Sequence, residues 1–327
     1  GADGSYTYAA TTDATDALDA GESATDTFVY TLSDGTAITT ANITITVLGA
    51  NDAPVARNDT GTINEDATLT VSDGDGNSTV AAATFVDSES ISMQQGSPSG
   101  LAFNTDGTKM FVTGYTSGDK VNEYTLSTGF DVSTSSFVDS FDVSGQESTP
   151  AGVTFNTDGT KMFVVGMSGD DVNEYTLSTG FDVSTASFVD SFDVSGQDTK
   201  PWGLAFNTDG TKMFVVGGSG NDVNEYTLTT GFDVSTSSFV DSFDVSGQKS
   251  AANAIAFNTD GTKMFVMGAY EDDVSEYTLT TGFDVSTASF VDSFDVSGQE
   301  TGPTALAFNT EGTKMFVLGQ AGKDVNE

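Results

Sequence analysis

The sequence predicts an all-β protein whose larger part is a β-propeller with four-stranded blades of about 51 residues each. Two observations carry this prediction. A phrase that reads Phe-Asn-Thr-Asp-Gly-Thr-Lys-Met-Phe-Val, or nearly so, begins five times, at Phe103, Phe155, Phe206, Phe257 and Phe308. Within each unit, four short apolar segments alternate with turns rich in Gly and Asp, and no segment has the 3.6-residue period of a helix. A long period built from short strands is typical of propellers.

The unit from 152 to 203 shows how one blade is predicted. Its four strands are expected at 152–155, 161–165, 172–177 and 187–194. Asp158-Gly159 is a strong hairpin signal because glycine adopts a positive φ without steric cost. The second strand is apolar on both faces, which indicates cover on two sides, and the fourth has polar residues on both faces, as an outer edge strand would. A parallel β-helix stays an alternative, although its rungs are shorter.

The number of blades stays open from the sequence. Residues 84–88 repeat the start of the fourth strand at 187–191, so the propeller region begins with a lone outer strand. The fifth unit stops within its third strand, at Asn326-Glu327. Closure of the lone strand on that unit would give five blades. We instead expect a fragment of a larger ring, with homo-association through the incomplete blade.

Composition excludes several classes of function. The chain has 48 acidic and 10 basic side chains and a net charge of -38. Such a surface repels nucleic acid and anionic membranes, and it favours divalent cations as well as a saline environment. The absence of Cys and His excludes disulfides, thiolate zinc sites and His-based triads. Because no apolar run reaches the roughly 18 residues of a membrane span, no membrane insertion is expected.

Residues 1–53 have a different pattern, with alternating β-segments at 6–8, 27–32 and 43–47. Residues 5–56 resemble the VCBS-type repeat of bacterial surface proteins, which folds as a cadherin-like β-sandwich. The matching motifs, in order, are Gly21-Glu22, Asp26-Thr27-Phe28, Ser33-Asp34-Gly35 and Asn51-Asp52-Ala53-Pro54. Since the chain opens with Gly1, we expect this partial sandwich to be incomplete at its N-terminus. Residues 54–81 are interpreted as a linker with the start of an interrupted second repeat, and 82–327 as the propeller.

The VCBS resemblance implies calcium at the junction of such modules, where carboxylate and amide oxygens supply the ligands. The residues that match are Glu22, Asp34, Asn51, Asp52, Glu65 and Asp66. In the alternative interpretation, Asp34 and Asp52 are turn residues and Glu22 is a solvated side chain.

The repeated phrase resembles the Ser-Pro-Asp-Gly-Lys hairpin of the YVTN and lactonase-like propellers, with Asn-Thr in place of Ser-Pro. This resemblance covers 82–327 and implies the architecture, whereas propellers of this kind serve as enzymes, binders and scaffolds alike. We expect the lysine of the phrase to have a structural role and to neutralise acidic turns nearby. Its copies are Lys109, Lys161, Lys212, Lys263 and Lys314.

The five units differ from each other mainly in two segments, the turn after the second strand and the stretch that joins one blade to the next. In an up-and-down blade these connections lie at the same end, so the variation is expected on one face of the disc. Trp202, Tyr115 and Tyr270 lie in these segments, and aromatic residues among acidic loops suit carbohydrate or protein contacts. Loops that vary for lack of constraint, and a Trp202 packed between blades, are the alternatives.

Together these features predict a secreted or cell-surface bacterial protein, stabilised by calcium, that uses the variable face for adhesion to, or recognition of, a glycan or protein. The alternatives are a lactonase- or glycosidase-like hydrolase that uses carboxylates and calcium, and a structural spacer or filament subunit. A shielded cluster of unequal acids over the central channel would favour the hydrolase. A channel lined by the same residues from every blade would favour the binder or the spacer.

Overall fold

The computed structural model describes residues 23–33, 36–48, 83–115 and 118–327. The chain divides into two units, residues 1–69 and 70–327. In the first unit, β1 (Ser23–Ser33) and β2 (Ile38–Leu48) form an antiparallel hairpin in which Ser23 lies opposite Leu48. Of the three predicted β-segments of this region, those at 27–32 and 43–47 are confirmed, and the one at 6–8 lies outside the described residues. The cadherin-like sandwich stays a prediction, because much of this unit lies outside the described residues.

The second unit begins with β3 (Ser88–Ser90) and continues with four consecutive blades of four antiparallel strands. Blade one contains β4 (Pro98–Phe103), β5 (Lys109–Gly114), β6 (Lys120–Leu126) and β7 (Ser135–Asp142). Blade two contains β8 (Pro150–Phe155), β9 (Lys161–Gly166), β10 (Asp171–Leu177) and β11 (Ala186–Asp193). Blade three contains β12 (Pro201–Phe206), β13 (Lys212–Gly217), β14 (Asp222–Leu228) and β15 (Ser237–Asp244). Blade four contains β16 (Ala252–Phe257), β17 (Lys263–Gly268), β18 (Asp273–Leu279) and β19 (Ala288–Asp295).

Blade five is assembled from both ends of the propeller region. It contains β20 (Pro303–Phe308), β21 (Met315–Gly319) and β22 (Asp324–Asn326), and β3 is its outer strand. In this pairing Asp324 lies opposite Ser90, and Asn326 opposite Ser88. The Thr304 hydroxyl donates to the carbonyl of Pro98 at 3.1 Å, which joins blade five to blade one.

The described blades therefore close a ring of five, and the expectation of a ring with more blades was wrong. The lone outer strand at 84–88 was the correct signal for closure, because it supplies the strand that the fifth unit lacks. The edge of β22 that homo-association would need is occupied by β3.

Within each blade the strands form where the apolar pattern predicts them. The second strand is covered on both faces, since Met162, Phe163, Val164 and Val165 are all fully buried. The Asp-Gly turn before it has the expected geometry, with a φ of 71° at Gly159. The outer strand is exposed as predicted for an edge.

In each of blades one to four, a short 3₁₀ turn lies in the link between the third and the outer strand. They are Val132–Thr134, Val183–Thr185, Val234–Thr236 and Val285–Thr287. The valine that begins each turn is fully buried. This link therefore packs its apolar residue into the core, although the sequence around it is mostly polar.

The core of the second unit lies between adjacent blades. One cluster joins Phe111 and Val121 of blade one to Met162, Val164 and Tyr175 of blade two. Near the axis the inner strands come so close that a Cβ on Gly152 would lie 2.7 Å from the carbonyl oxygen of Trp202. Small residues at this position are therefore required for five inner strands to meet around one axis.

Every blade contains a buried ion pair, and in blades one, two, three and five this pair contacts the next blade. In blade two the Lys161 ammonium lies 2.7 Å from Oε1 of Glu174, whose side chain is only 4% exposed. The same ammonium donates to the carbonyl of Phe232 in blade three at 2.5 Å, and the backbone N–H of Val234 donates to the other oxygen of Glu174 at 3.0 Å. The corresponding pairs are Lys109–Glu123, Lys212–Glu225, Lys263–Glu276 and Lys314–Glu327.

The lysines thus have a structural role, but their partner is a glutamate on a strand and not an acidic turn. The turn aspartate is already satisfied locally, because Asp158 accepts from the backbone N–H and the hydroxyl of Thr160 at 3.0 and 2.6 Å. These hydrogen bonds hold the pKa of Asp158 below its usual value. A buried glutamate, by contrast, needs a counter-charge to remain ionised.

The phenylalanine that receives the lysine has an unusual backbone conformation. Phe232 has a φ of 57°, which is uncommon for a bulky side chain. Its ring lies directly over Gly210, where a Cβ would clash with it, and packs 5.4 Å from the ring of Phe206. The strained turn is therefore held by ring packing on one side and by the lysine of the preceding blade on the other.

We expect Lys161→Ala to lower the free energy of unfolding by about 2 kcal/mol, because Glu174 stays buried and loses its counter-charge. The loss should be smaller than for a fully buried pair, since the lysine side chain is 29% exposed. Urea unfolding at neutral pH measures it. Lys200→Ala, at an exposed lysine of blade three, is the control and should change stability by less than about 0.5 kcal/mol. Equal losses in the two variants would contradict this role.

Candidate functional site

The two variable segments of every blade meet at one end of the disc, as predicted. In blade two the backbone N–H of Met167, after the second strand, donates to the carbonyl of Thr149 before the first strand at 3.2 Å. The N–H of Val194, after the fourth strand, donates to the carbonyl of Asp170 at 2.9 Å. We call this end, formed by the connections after the second and outer strands, the variable face. The opposite end, with the repeated Asp-Gly hairpins, is the invariant face.

The three aromatic residues singled out from the sequence lie on the variable face, on three different blades. Tyr115 of blade one is half-buried, and its hydroxyl accepts from the side-chain amide of Gln320 in blade five at 2.9 Å. Trp202 of blade three is half-buried, and a Cβ on Gly218 would lie 3.0 Å from its Cζ3 atom. Tyr270 of blade four is 75% exposed. Trp202 therefore packs against a glycine of its own blade, and Tyr270 is the most accessible of the three.

Trp202 is the second residue of the inner strand, and this position is a β-bulge in all five blades. The pairing of each inner strand with its neighbour skips one residue between the first and third positions. A bulge leaves one residue outside the ladder and re-aims its side chain, and bulges are frequent beside functional sites. We call the skipped residues the mouth residues: Ser99, Ala151, Trp202, Asn253 and Thr304.

The mouth residues are all different, on a scaffold that otherwise repeats. Ser99 donates to the carbonyl of Pro150 at 2.7 Å, and Asn253 donates to the carbonyl of Pro303 at 2.7 Å, so each contacts the following blade. The Oδ1 atom of Asn253 is buried and has no hydrogen-bond partner among the described residues. Sequence analysis identified Trp202 but not its four equivalents. Alignment of the five units would have identified them, since each is the second residue of its inner strand and differs from unit to unit.

A second set of five residues, here the anchor residues, holds the loops of the variable face. They are Gln95, Glu147, Asp198, Lys249 and Glu300, each 0–1% exposed. The Glu147 carboxylate accepts from the backbone N–H groups of Thr149, Ser168 and Gly169 at 2.6, 3.1 and 3.2 Å. The variable loops are therefore fixed by internal hydrogen bonds. Sequence analysis missed these residues, although each of the last four follows Ser-Gly-Gln and changes from unit to unit.

In blade four the anchor residue is a buried lysine, whose charge is opposite to that of the acidic anchors in blades two, three and five. Its anchor, Lys249, pairs with the Asp273 carboxylate and donates to the Asp273 carbonyl at 3.0 Å. The carboxylate that accepts from the backbone of this loop belongs to the neighbouring turn and not to the anchor, since Glu271 accepts from the backbone N–H of Ser250 at 3.1 Å. Burial lowers the pKa of Lys249 to about 8. The turn Ala269–Asp273 thus differs from its counterparts because its anchor carries the opposite charge.

The variable face carries many carboxylates. Burial, and then the charge of Asp193, raises the pKa of Asp171 in blade two. In blade one Lys120 takes the position of Asp171 and helps to lower the pKa of Asp142, after the hydrogen bonds from Ser144. Within the described residues, no group of three or more acidic side chains has an arrangement that could hold a metal ion.

A cavity of about 490 Å³ occupies the central channel and extends to the invariant face. Every blade contributes the same Phe-Asn-Thr sequence to its wall. The threonines form a ring in which each hydroxyl donates to the threonine carbonyl of the next blade, from Thr105 to Thr157 at 3.1 Å and finally from Thr310 back to Thr105 at 2.9 Å. The carboxylates in the lining are Asp260 and Glu311, and both lie in hairpin turns of the invariant face.

The six residues that the VCBS resemblance implies as calcium ligands lie outside the described residues. They are Glu22, Asp34, Asn51, Asp52, Glu65 and Asp66. Calcium binding at this junction therefore stays a prediction.

Comparison with known proteins gives structural neighbours only, since no family model and no curated protein matches the sequence. A periplasmic gluconolactonase from Pseudomonas aeruginosa is 18% identical, with a TM-score of 0.43 over 69% of this chain and 64% of that one. A putative 6-phosphogluconolactonase from Bacteroides uniformis is 12% identical, with a TM-score of 0.43 over 68% and 64%. A nidogen/laminin complex is 12% identical, with a TM-score of 0.45 over 68% and 72%.

The matched regions span about two thirds of these neighbours. Similarity this low carries neither an activity nor a ligand to this chain. Among the described residues, no helix is long and apolar enough to cross a membrane.

Lys249 predicts a pH dependence of stability. Below about pH 8 the lysine is protonated in the folded and the unfolded chain, so the cost of burying its charge is fully present. As the pH rises from 8 toward 10.5, the folded lysine loses its proton while the unfolded chain keeps it. The free energy of unfolding should therefore rise relative to Lys249→Met, with a slope approaching about 1.4 kcal/mol per pH unit. Urea unfolding of both proteins between pH 7 and 9.5 measures this, and a constant difference would contradict it.

Proposed function

We propose that the propeller is a recognition module that binds a glycan or protein through its variable face. The observation that carries this proposal is the set of mouth residues, which are five different side chains on bulges of five nearly identical strands. Trp202 and Thr304 are the partly exposed members of this set, so they are the mouth residues that a ligand can reach.

The channel supports recognition over hydrolysis. A carboxylate-based hydrolase needs two acids held in unequal environments, so that one is protonated and the other ionised. The channel wall instead repeats Phe, Asn and Thr from every blade, and Asp260 already accepts from the N–H and hydroxyl of Thr262 at 2.9 and 2.6 Å. A spacer would share this repeated channel but would not need unequal mouth residues.

The chemistry of the variable face indicates the kind of partner. Its carboxylates repel anionic ligands, so a neutral glycan or a basic protein surface fits best. Tyr270 and Trp202 would supply aromatic faces for sugar rings or apolar side chains. A net charge of -38 and a chain without cysteine suit a secreted or cell-surface protein, which is where such partners occur.

We expect Trp202→Ala to weaken binding to the partner by about 2 kcal/mol while the fold stays intact. Alanine is the natural mouth residue of blade two, at Ala151, so the substitution recreates an arrangement that the scaffold already contains. Fluorescently labelled protein applied to an array of glycans and immobilised matrix proteins identifies a ligand, and titration of that ligand measures the loss.

Ser178→Ala, at an exposed position on the invariant face, is the matched control and should leave binding unchanged. Tyr270→Ala should weaken binding as Trp202→Ala does. If Ser178→Ala loses binding and Trp202→Ala does not, the invariant face is the binding surface. If Trp202→Ala unfolds the propeller, Trp202 has a structural role, and its assignment as a ligand-binding residue is wrong.

We also propose that the N-terminal module binds calcium through the six residues named above. A ligand at a hundred times its dissociation constant stabilises the folded state by about 2.7 kcal/mol. The first thermal transition should therefore occur at a higher temperature in calcium than in chelator, at fixed ionic strength. The variant Asp52→Asn with Glu65→Gln should lose the difference. Identical melting curves of the native protein in calcium and chelator would remove the proposal.

A further inference from the structure

The central cavity of about 490 Å³ is a cup that opens on the invariant face. Toward the variable face it ends where the inner strands touch, since a Cβ on Gly203 would lie 3.0 Å from the Cα of Ala254 in the next blade. The wall of the cup begins one residue later, at Leu204 in blade three, and ends at Thr208. At about 3.3 Å per residue, this length of strand gives the cup a depth of about 13 Å. Its volume is within the range of small-molecule sites.

The lower wall of the cup is apolar and preformed. One small residue of each inner strand leaves room for the cavity, namely Ala102, Thr154, Ala205, Ala256 and Ala307. Next along each strand is a half-buried phenylalanine that also lines the cup. In blade three this residue is Phe206, whose ring packs 5.4 Å from the ring of Phe232. The aromatic part of the wall is therefore held in place by ring packing, and it can receive an apolar group without rearrangement.

The polar groups higher in the wall are engaged in the scaffold itself. In blade three the side-chain oxygen of Asn207 accepts from the backbone N–H of Lys212 at 2.9 Å, and its amide donates to the hydroxyl of Thr211 at 3.2 Å. The hydroxyl of Thr208 donates to the carbonyl of Thr259 in the next blade at 3.2 Å. A hydroxyl that donates in this way still accepts through its lone pairs. The threonine ring therefore presents acceptors to a ligand in the cup.

The rim of the cup is negatively charged. Each blade places a hairpin carboxylate there, and two of these, Asp260 and Glu311, line the cavity directly. Hydrogen bonds from the hydroxyl and the backbone N–H of Thr262 hold the pKa of Asp260 below its usual value, so it is ionised at neutral pH. The lysine that follows each hairpin does not neutralise the rim, because it is paired with a buried glutamate, as Lys161 is with Glu174. A cleft with charges of one sign at its mouth concentrates ions of the opposite sign.

We propose that the cup is a binding site for a small organic cation, an ammonium group attached to an apolar body. The apolar body lies among the alanines and phenylalanines of the lower wall, and the ammonium group lies at the rim near Asp260 and Glu311. Aromatic rings and carboxylates around a cavity are the groups with which proteins recognise substituted ammonium ions. The site is on the face opposite Trp202, so it is independent of the recognition proposed for the variable face.

The test compares three compounds that share one apolar body and differ in charge: phenethylammonium, phenethyl alcohol and phenylacetate. Isothermal titration calorimetry at low ionic strength measures their binding to the native protein, because salt screens the charges of an open rim. We expect saturable one-to-one binding of phenethylammonium, at least ten-fold tighter than that of the alcohol, which corresponds to about 1.4 kcal/mol. Phenylacetate should not bind. The absence of saturable cation binding, or equal affinity for the three compounds, would overturn the proposal.

A matched pair of double variants tests the rim. Asp260→Asn with Glu311→Gln removes two charges of the cup and should weaken the binding of phenethylammonium by about five-fold at low ionic strength, while the binding of phenethyl alcohol stays unchanged. Asp139→Asn with Asp190→Asn removes two exposed carboxylates of the outer strands and is the control, since it changes the net charge by the same amount. Equal losses in the two double variants would show a general effect of net charge and would overturn the proposal.

A second pair of variants tests the apolar wall. Ala256→Leu places a larger side chain in the cup and should abolish the binding of phenethylammonium; blade two already has a larger residue at this position, Thr154. Ala321→Leu makes the same change at an exposed position of the variable face and should leave binding unchanged. Circular dichroism checks that both variants fold, and the three compounds and the rim variants decide the question if Ala256→Leu does not. Unchanged cation binding by folded Ala256→Leu would place the cation outside the cup and overturn the proposal.

Discussion

The five-bladed ring depends on an ion pair that serves two blades at once. Each lysine after the hairpin neutralises a buried glutamate of its own blade, and four of the five also donate to a phenylalanine carbonyl of the next, as Lys161 does with Glu174 and Phe232. The second oxygen of the glutamate accepts from the following 3₁₀ turn. A charge buried in this way is stable only when all its partners are in place, so the pair fixes the spacing between blades as well as neutralising the glutamate.

This constraint explains why the invariant face repeats so strictly. The phenylalanine carbonyl points to the lysine only because Phe232 and its counterparts adopt a positive φ, which the rings stacked on the hairpin glycine maintain. The threonine ring around the channel adds a further set of contacts between blades. A change in any one of these residues would disturb two blades, which is why the threonine, the hairpin glycine and the lysine recur in every unit.

The variable face is free of that constraint, and its differences are nevertheless ordered. The anchor residues show how: Glu147 holds its loop with a carboxylate, whereas Lys249 needs the carboxylate of Glu271 from the neighbouring turn. Loops of different sequence are therefore held in defined conformations. Binding proteins and enzymes alike carry their functional residues on loops that a rigid scaffold positions in this way.

The sequence by itself determined the all-β class, the four strands of each blade and the face on which the units differ, because hairpin signals and apolar periodicity are local properties. Only the tertiary structure decided the number of blades, since closure depends on the pairing of β3 with β22 across more than 200 residues. It also decided the partner of each lysine and the role of the anchor residues. Charged residues in polar stretches look solvated in a sequence, and their burial is determined by the blades that pack around them.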